Sequence, residues 1–210
     1  MPRPISEIDL SEVLYYEETI NGETKTVAYW PLWKESDGVV LIRALGTDES
    51  HRINNTNVST YIDSVMDTWL NDEDTGYLSR FDAKMRACII PTTIKIRPAD
   101  ADDVTEIARQ AFLLAESNVI AAGGVEGDSI LPVLKTRTGE TSDNNARKAY
   151  NSAGTAVGYW LRSAASTEQC RGVGTGGFIN SFNATVSLYA RPAFKVAGAP
   201  KGSHATEGTN

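Results

Sequence analysis

The segment YYEETINGETKTVAYW, residues 15–30, sets Asn21-Gly22 between two runs of alternating apolar and polar residues. Asn and Gly tolerate the positive φ angles of a type I′ turn, whose twist matches that of antiparallel strands, so the segment predicts a β-hairpin. TVAYWPLW, KESDG and VVLIRAL follow as strand, turn and strand. Pro31 has no N–H to give to a ladder, which predicts an edge or a bulge there. A chain that opens this way begins as an antiparallel meander.

The period then changes. In STYIDSVMDTWLN, residues 59–71, Ile62, Val65, Met66, Trp69 and Leu70 recur at helical spacing. Ser59 or Thr60 is the expected cap, Asn71 the expected left-handed C-terminal cap, and Trp69 an expected core residue. Leu78, Phe81, Met85 and Cys88 or Ile89 mark one face of a second, shorter helix. IIPTTIKI is a strand. In residues 99–117, Val104, Ile107, Ala108 and Ala111 fit a helix, whereas AFLLA fits a buried strand. Residues 122–156, rich in Gly, Ser, Thr, Asn and Asp, predict a long loop with one short element near Ala146–Tyr150. GYWLRSA is a strand, with Trp160 and Arg162 on one face and Tyr159, Leu161 and Ser163 on the other. Val186, Leu188, Ala190, Phe194 and Val196 alternate as a half-buried strand, and residues 197–210 have the composition of an extended tail. The expected organisation is one α+β domain over 1–196 followed by that tail.

The segment RGVGTGGF, residues 171–178, spaces Gly172, Gly174 and Gly177 as a dinucleotide fingerprint does. A fingerprint needs a helix after it, whose N-terminus meets the pyrophosphate. FINSFNATVSLYARPAF is strand-like instead, so the glycines predict a turn between strands and no nucleotide. The net charge of −7 speaks against a sequence-independent grip on nucleic acid or an anionic membrane. MPRPISEIDL lacks the apolar run of a signal peptide, and no stretch is apolar enough to span a membrane, so a soluble chain without an export signal is expected. The sequons at Asn54, Asn57 and Asn183 matter only in a eukaryotic secretory context.

Cys88 and Cys170 lie far apart and are expected to be free thiols. His51 and His204 are isolated, which leaves no zinc spacing and no Ser-His-Asp set. NDED (71–74) and ADADD (99–103) are acidic enough to offer oxygen ligands to calcium, but each also suits caps and turns, and neither has the EF-hand spacing. No catalytic residue, cofactor or metal site is therefore expected. Arg162 and Arg191 are read as strand arginines that pair with a carboxylate and cover apolar surface, the alternative being an anionic ligand.

SVMDTWLN (64–71), AFLLAES (111–117), GYWLRSA (158–164) and ARPAFKV (190–196), in this order, resemble an uncharacterised family of gut-bacterial and bacteriophage proteins with W-L-N, F-L-L-S, W-L-R-S and R-P-A motifs. The F-L-L-S match favours the strand reading of 111–115. That family resembles the C-type-lectin-like fold, shared with formylglycine-generating enzymes and phage tropism determinants. The resemblance implies two helices, a twisted antiparallel sheet and long loops that carry a binding surface. The E-P-N and W-N-D signatures of calcium-dependent lectins are missing, and Cys88 and Cys170 meet as a formylglycine-type pair only if folding joins them. The expected function is a non-enzymatic structural protein of a phage particle, in tail, neck or head, made in the host cytoplasm. Its expected partners are further virion subunits, copies of itself and a host-surface glycan or protein. The alternative is a bacterial carbohydrate- or protein-binding module. Arg171, Asn180 and Asn183, in the loop at 165–183, are the candidate ligand surface.

Overall fold

Asn21 and Gly22 both adopt positive φ, 53° and 81°, and close the hairpin of β1 (Leu14–Ile20) and β2 (Glu23–Lys34). The computed structural model describes residues 4–99, 101 and 103–198. β3 (Val39–Arg43) continues the meander, and the β2–β3 register shifts between Pro31 and Trp33, so the proline sits at a bulge. After the short β4 (Ser50–His51), the chain enters α1 (Val65–Asn71). Next come a 3₁₀ turn at Leu78–Arg80 and α2 (Ala83–Arg86). Then follow β5 (Ile89–Ile90), β6 (Thr92–Ile96), β7 (Thr105–Arg109), β8 (Ala111–Phe112) and α3 (Glu116–Val119). The last third holds α4 (Leu131–Thr138), α5 (Asp143–Arg147), β9 (Ala149–Tyr150), β10 (Ala156–Val157), β11 (Tyr159–Ala164), β12 (Gln169–Val173), β13 (Ile179–Asn183), β14 (Leu188–Tyr189) and β15 (Ala193–Val196).

Two main sheets result. In one, the order is β1-β2-β3-β15-β5, with β8 also paired to β15. In the other it is β13-β12-β11-β14-β4, where β11 and β14 make a parallel contact among otherwise antiparallel pairs. β6–β7 and β9–β10 are separate ribbons. The fold is therefore α+β and mostly antiparallel. Because β15 lies beside β3, the end of the domain closes on its beginning, and residues 44–192 form one excursion between two neighbouring strands. One core joins both sheets, with Tyr29, Phe81, Phe112, Tyr159, Trp160 and Phe194 among its largest members.

Several local expectations change. α1 starts at Ser64, not at Ser59 or Thr60: Asp63 takes a left-handed φ of 57°, and the Ser64 hydroxyl accepts the Asp67 N–H at 3.0 Å. Its buried face is Met66, Asp67 and Leu70, while Val65 is exposed. Trp69 is only half-buried; it stacks on His51 with ring centroids 3.8 Å apart, so it seals the edge of the core rather than filling it. Asn71 is no left-handed cap, since Asp72 ends the helix in an extended conformation. Its side chain instead joins helix to sheet. It donates to the Asp67 and Ala111 carbonyls, both at 2.9 Å, and accepts from the Gln110 and Ala111 N–H groups, both at 3.1 Å.

The second helix is split into the 3₁₀ turn and α2, with Asp82 capping the latter. Thr105–Arg109 and Ala111–Phe112 are strands, so of the strand expected over 111–115 only the first two residues form one, and the rest of the matched segment runs extended into α3. The 122–156 segment holds α4 and α5. α4 shows start and stop signals, Pro132 in its first turn and Gly139 at φ 69° after its last. The alternation over 185–196 does not make one strand. Val186 is exposed, Arg191 and Pro192 interrupt, and β15, with strands at both edges, is buried on both faces. β11 is likewise buried on both faces from Tyr159 to Ser163. The tail expected over 197–210 lies outside the described residues from 199 onward, as do Asp100, Asp102 and His204. Among the described residues, no helix is long and apolar enough to cross a membrane.

The period of β1 places Glu18 on the same inward face as Leu14, Tyr16 and Ile20, and it is fully buried. Its carboxylate accepts Tyr29 Oη, Arg43 Nε at 2.8 Å and Arg80 Nη1 at 3.4 Å. Tyr77 Oη lies 2.8 Å from Tyr29 Oη and donates to it, because the Tyr29 proton already points at Glu18. Arg80 continues outward to Glu49, and its guanidinium lies over Trp69. Burial and the Glu18 charge push the Tyr29 and Tyr77 hydroxyls well above the ordinary tyrosine range. Burial also raises those of Tyr61 and Tyr159.

Raised phenol pKa values fix the sign of alkaline stability. The unfolded tyrosines release their protons near pH 10. The folded ones hold theirs, so the native state binds more protons and stability falls as pH rises above that point. Below it the contribution is fully present. We expect an alkaline unfolding transition in which phenolate absorbance from the buried tyrosines and the loss of circular dichroism coincide. Titration of all tyrosines near pH 10 with the fold intact would contradict the burial of these four side chains.

Candidate functional site

Three buried arginines organise the irregular half of the molecule. Arg162 extends from the middle of β11 and is 3% exposed. It donates to the main-chain carbonyls of Leu113 (2.7 Å), Glu126 (2.9 Å) and Lys95 (3.0 Å). Those carbonyls belong to β6, to the segment between β8 and α3, and to the loop after α3. The planar, five-donor guanidinium is suited to joining several acceptors at fixed angles, which a lysine is not. Burial lowers the Arg162 pKa, and the nearby Glu126 carboxylate acts in the opposite sense. That carboxylate accepts the Ser163 hydroxyl and the Arg97 N–H at 3.3 Å.

Arg147, at the end of α5, does the same for other loops: its Nε donates to Gly177 (2.9 Å) and its Nη1 to Val119 (3.0 Å). Arg191 donates to the carbonyls of Arg43 (3.0 Å) and Ala44 (3.2 Å). Its guanidinium carbon lies 4.8 Å from the Trp30 ring centroid and 5.7 Å from that of Tyr159. These arginines differ from the sequence reading, because Arg162 and Arg191 hold main-chain oxygens rather than a partner carboxylate. A buried loop carbonyl needs a donor, and residue type alone does not say where that donor will come from.

Two clefts open beside Arg162, and it lines both. One, of about 440 Å³, lies between residues 57–62, 96–99 and 164–168. The other, of about 540 Å³, lies between the end of β2, β6 and the 124–130 loop. Trp33, Thr92, Thr93, Val125, Glu126 and Ser129 are among the second cleft's walls. Both volumes are in the range of small-molecule sites, about 300–1,000 Å³.

The candidate residues Arg171, Asn180 and Asn183 come together on the β12–β13 hairpin. The register pairs Arg171 with Ser181, Gly172 with Asn180, and Gln169 with Asn183, which puts Arg171 and Asn183 on one face and Asn180 on the other. Arg171 pairs with Glu116 at 3.1 Å and donates to Ser181 at 2.8 Å. Asn183 accepts from Gln169 at 3.2 Å, and Asn180 donates to the Phe178 carbonyl at 3.3 Å. The glycine run makes the hairpin turn: the Gly174 N–H reaches the Phe178 carbonyl at 2.8 Å, and Gly177 sits at φ 82°. Gly172 is not part of that turn; it is buried within β12, against Phe182. Gly177 also lies against the Asn144 backbone, where a Cβ would clash.

The remaining reactive groups are placed as follows. Cys88 is half-buried and Cys170 buried, and the two are unpaired; burial pushes the Cys170 thiol up to about 12. His51 has two neighbours that its sequence context did not reveal, the Trp69 ring and Glu49 Oε1 at 3.4 Å from its Nε2. Asp72 of the NDED cluster accepts the N–H groups of Asp74 (2.8 Å) and Thr75 (3.2 Å), which is turn chemistry.

No curated protein matches this chain, and no solved structure does. A family described as "Domain of unknown function (DUF6273)" matches residues 36–198, a span that begins in the β2–β3 turn and includes Asn71, Arg162, Arg191, the whole first cleft and all of the second but its wall at the end of β2, Leu32, Trp33, Lys34 and Glu35. That match covers more than three quarters of the sequence, and the chain belongs to the DUF6273 family.

Proposed function

We propose that this chain is a non-catalytic binding and assembly domain of C-type-lectin-like architecture, working as a structural subunit of a bacteriophage particle. In this reading it sits in tail, neck or head and serves assembly or attachment to a host-surface glycan or protein. The observation that carries the binding half is the set of arginine-held loops. Arg162 and Arg147 fix five main-chain carbonyls, so the clefts and the 169–183 hairpin are held in place before any ligand arrives. Binding then costs less ordering entropy than it would for free loops. The closure of β15 onto β3 supports the architecture: the sheet takes both ends of the domain and leaves the excursion between them free to carry surface. The phage setting rests on the resemblance of the W-L-N, W-L-R-S and R-P-A segments.

The solution size of the purified full chain tests this reading. A subunit of a particle is expected to form a stable homo-oligomer by light scattering at micromolar concentration, or to co-purify with particles. A chain that stays monomeric at all concentrations and is absent from particles contradicts the virion reading, and is the behaviour expected of a bacterial binding module.

A further inference from the structure

We propose that the cleft between the end of β2, β6 and the 124–130 loop is a binding site for a neutral saccharide. The proposal rests on the binding reading above and gives it a place and a ligand class.

The first argument is an unsatisfied group. Thr92 is 2% exposed and lines this cleft, and its hydroxyl has no hydrogen-bond partner. A buried hydroxyl without a partner is costly in a finished structure; this oxygen has almost no accessible surface, so a ligand hydroxyl supplies the missing bond by a small outward shift of the cleft wall at Thr92.

The second is the balance of charge. Lys34, Lys95 and Arg162 line the cleft together with Glu35, Glu126 and Asp128, so neither sign prevails. Glu35 is already paired with Lys195 at 2.9 Å, and Arg162 is occupied by carbonyls. The exposed Lys34 and Asp128 are of opposite sign, so no net charge of the cleft selects an anionic or a cationic ligand.

The third is the pairing of apolar wall and hydroxyl edge. The Trp33 N–H is taken by Glu35 at 3.0 Å, which leaves the indole as an apolar wall, and Val125 stands exposed in the opposite loop. The hydroxyl of Ser129 accepts the Leu131 N–H at 3.2 Å and retains its own proton to donate. Thr93 adds an exposed hydroxyl. Gly124 and Gly127 carry no side chains into the space. A sugar ring has this same division into apolar C–H face and polar edge. A peptide strand fits less well. Part of the main chain such a strand would pair with is already engaged: Arg162 holds the Lys95 carbonyl of β6, and just beyond the strand the Arg97 N–H is held by the Glu126 carboxylate.

The test is a ¹H–¹⁵N NMR titration of the full chain with glucose, galactose, mannose and N-acetylglucosamine and their short oligomers. The expected result is a saturable shift for at least one of them, confined to the Trp33 indole and to the amides of Thr92, Thr93, Gly124, Gly127 and Ser129. Thr92→Val is the decisive variant. It removes a hydroxyl that has no partner in the free protein, so melting temperature should stay or rise, while affinity should fall about tenfold, as for one lost hydrogen bond. A lowered melting temperature would mean that the hydroxyl has an internal partner, and overturns the proposal. Absence of any saturable shift also overturns it and leaves the solution-size result untouched. Shifts confined to residues 169–183 overturn the location while the binding reading stands. Binding of a peptide in place of every sugar overturns the ligand class.

Discussion

Arg162→Met is expected to lower the free energy of unfolding by about 3–5 kcal/mol, the range for breaking a buried charged arrangement from one side. Methionine fills a similar length of space, so the loss comes from the polar partners. The carbonyls of Leu113 and Glu126 lose their donor where they are buried, and that of Lys95 where it is partly buried, and each unsatisfied buried group costs about 1–3 kcal/mol. The Glu126 carboxylate, on a residue 8% exposed, also loses its nearest buried positive charge. Local relaxation of the 124–130 loop toward solvent offsets part of this sum. Denaturant unfolding checks the figure, and a loss below about 1 kcal/mol would mean that the loop carbonyls find other donors easily.

Glu18→Gln is expected to have an effect of similar size, about 3–5 kcal/mol, by the opposite charge logic. The amide keeps the shape of the carboxylate. It leaves Arg43 and Arg80, both under 8% exposed, with less negative charge than they were folded around. It also turns one acceptor into a donor facing Arg43, Arg80 or Tyr29. Asp48 at 3.6 Å from Arg43, and Glu49 beside Arg80, remain as outer partners, which keeps the loss from growing further. The double variant Glu18→Gln with Arg43→Met should lose less than the two single changes added together, because the groups share one network. Additive losses would mean that Glu18 and Arg43 contribute independently.

What the sequence made legible was local. The Asn21-Gly22 turn, the Pro31 bulge, the strands over 89–96 and 159–164 and the turn before Phe178 all follow from backbone chemistry within a few residues. Glu18 was missed although its signal was present: alternation along β1 places it inward with Leu14 and Tyr16, and an inward carboxylate signals buried cations. Trp69 misled because helical spacing marks a face without saying how deep it sits; here its ring stays half-buried at the rim of the core, stacked on His51 and beside the Arg80 guanidinium. Asn71, Arg162 and Arg191 act on main-chain atoms up to about 150 positions away, as in the bond from Arg191 to the Arg43 carbonyl. Carbonyls carry no residue identity, so no spacing in the sequence marks them. The clefts escaped for the same reason: each is assembled from three or more distant segments around a side chain whose partners are backbone.

The claim that buried arginines hold the loops around the clefts is tested most directly by hydrogen exchange of the wild-type chain and Arg162→Lys. Lysine keeps the charge but lacks the fork that reaches several carbonyls at once. The amides of Asn118, Gly124, Gly127 and Ile130 are bonded within the region that Arg162 secures. The account predicts that their exchange accelerates by about tenfold or more in the variant, while β1, β2 and β3 exchange as before. Unchanged exchange over 113–130, or uniform acceleration along the whole chain, would contradict it.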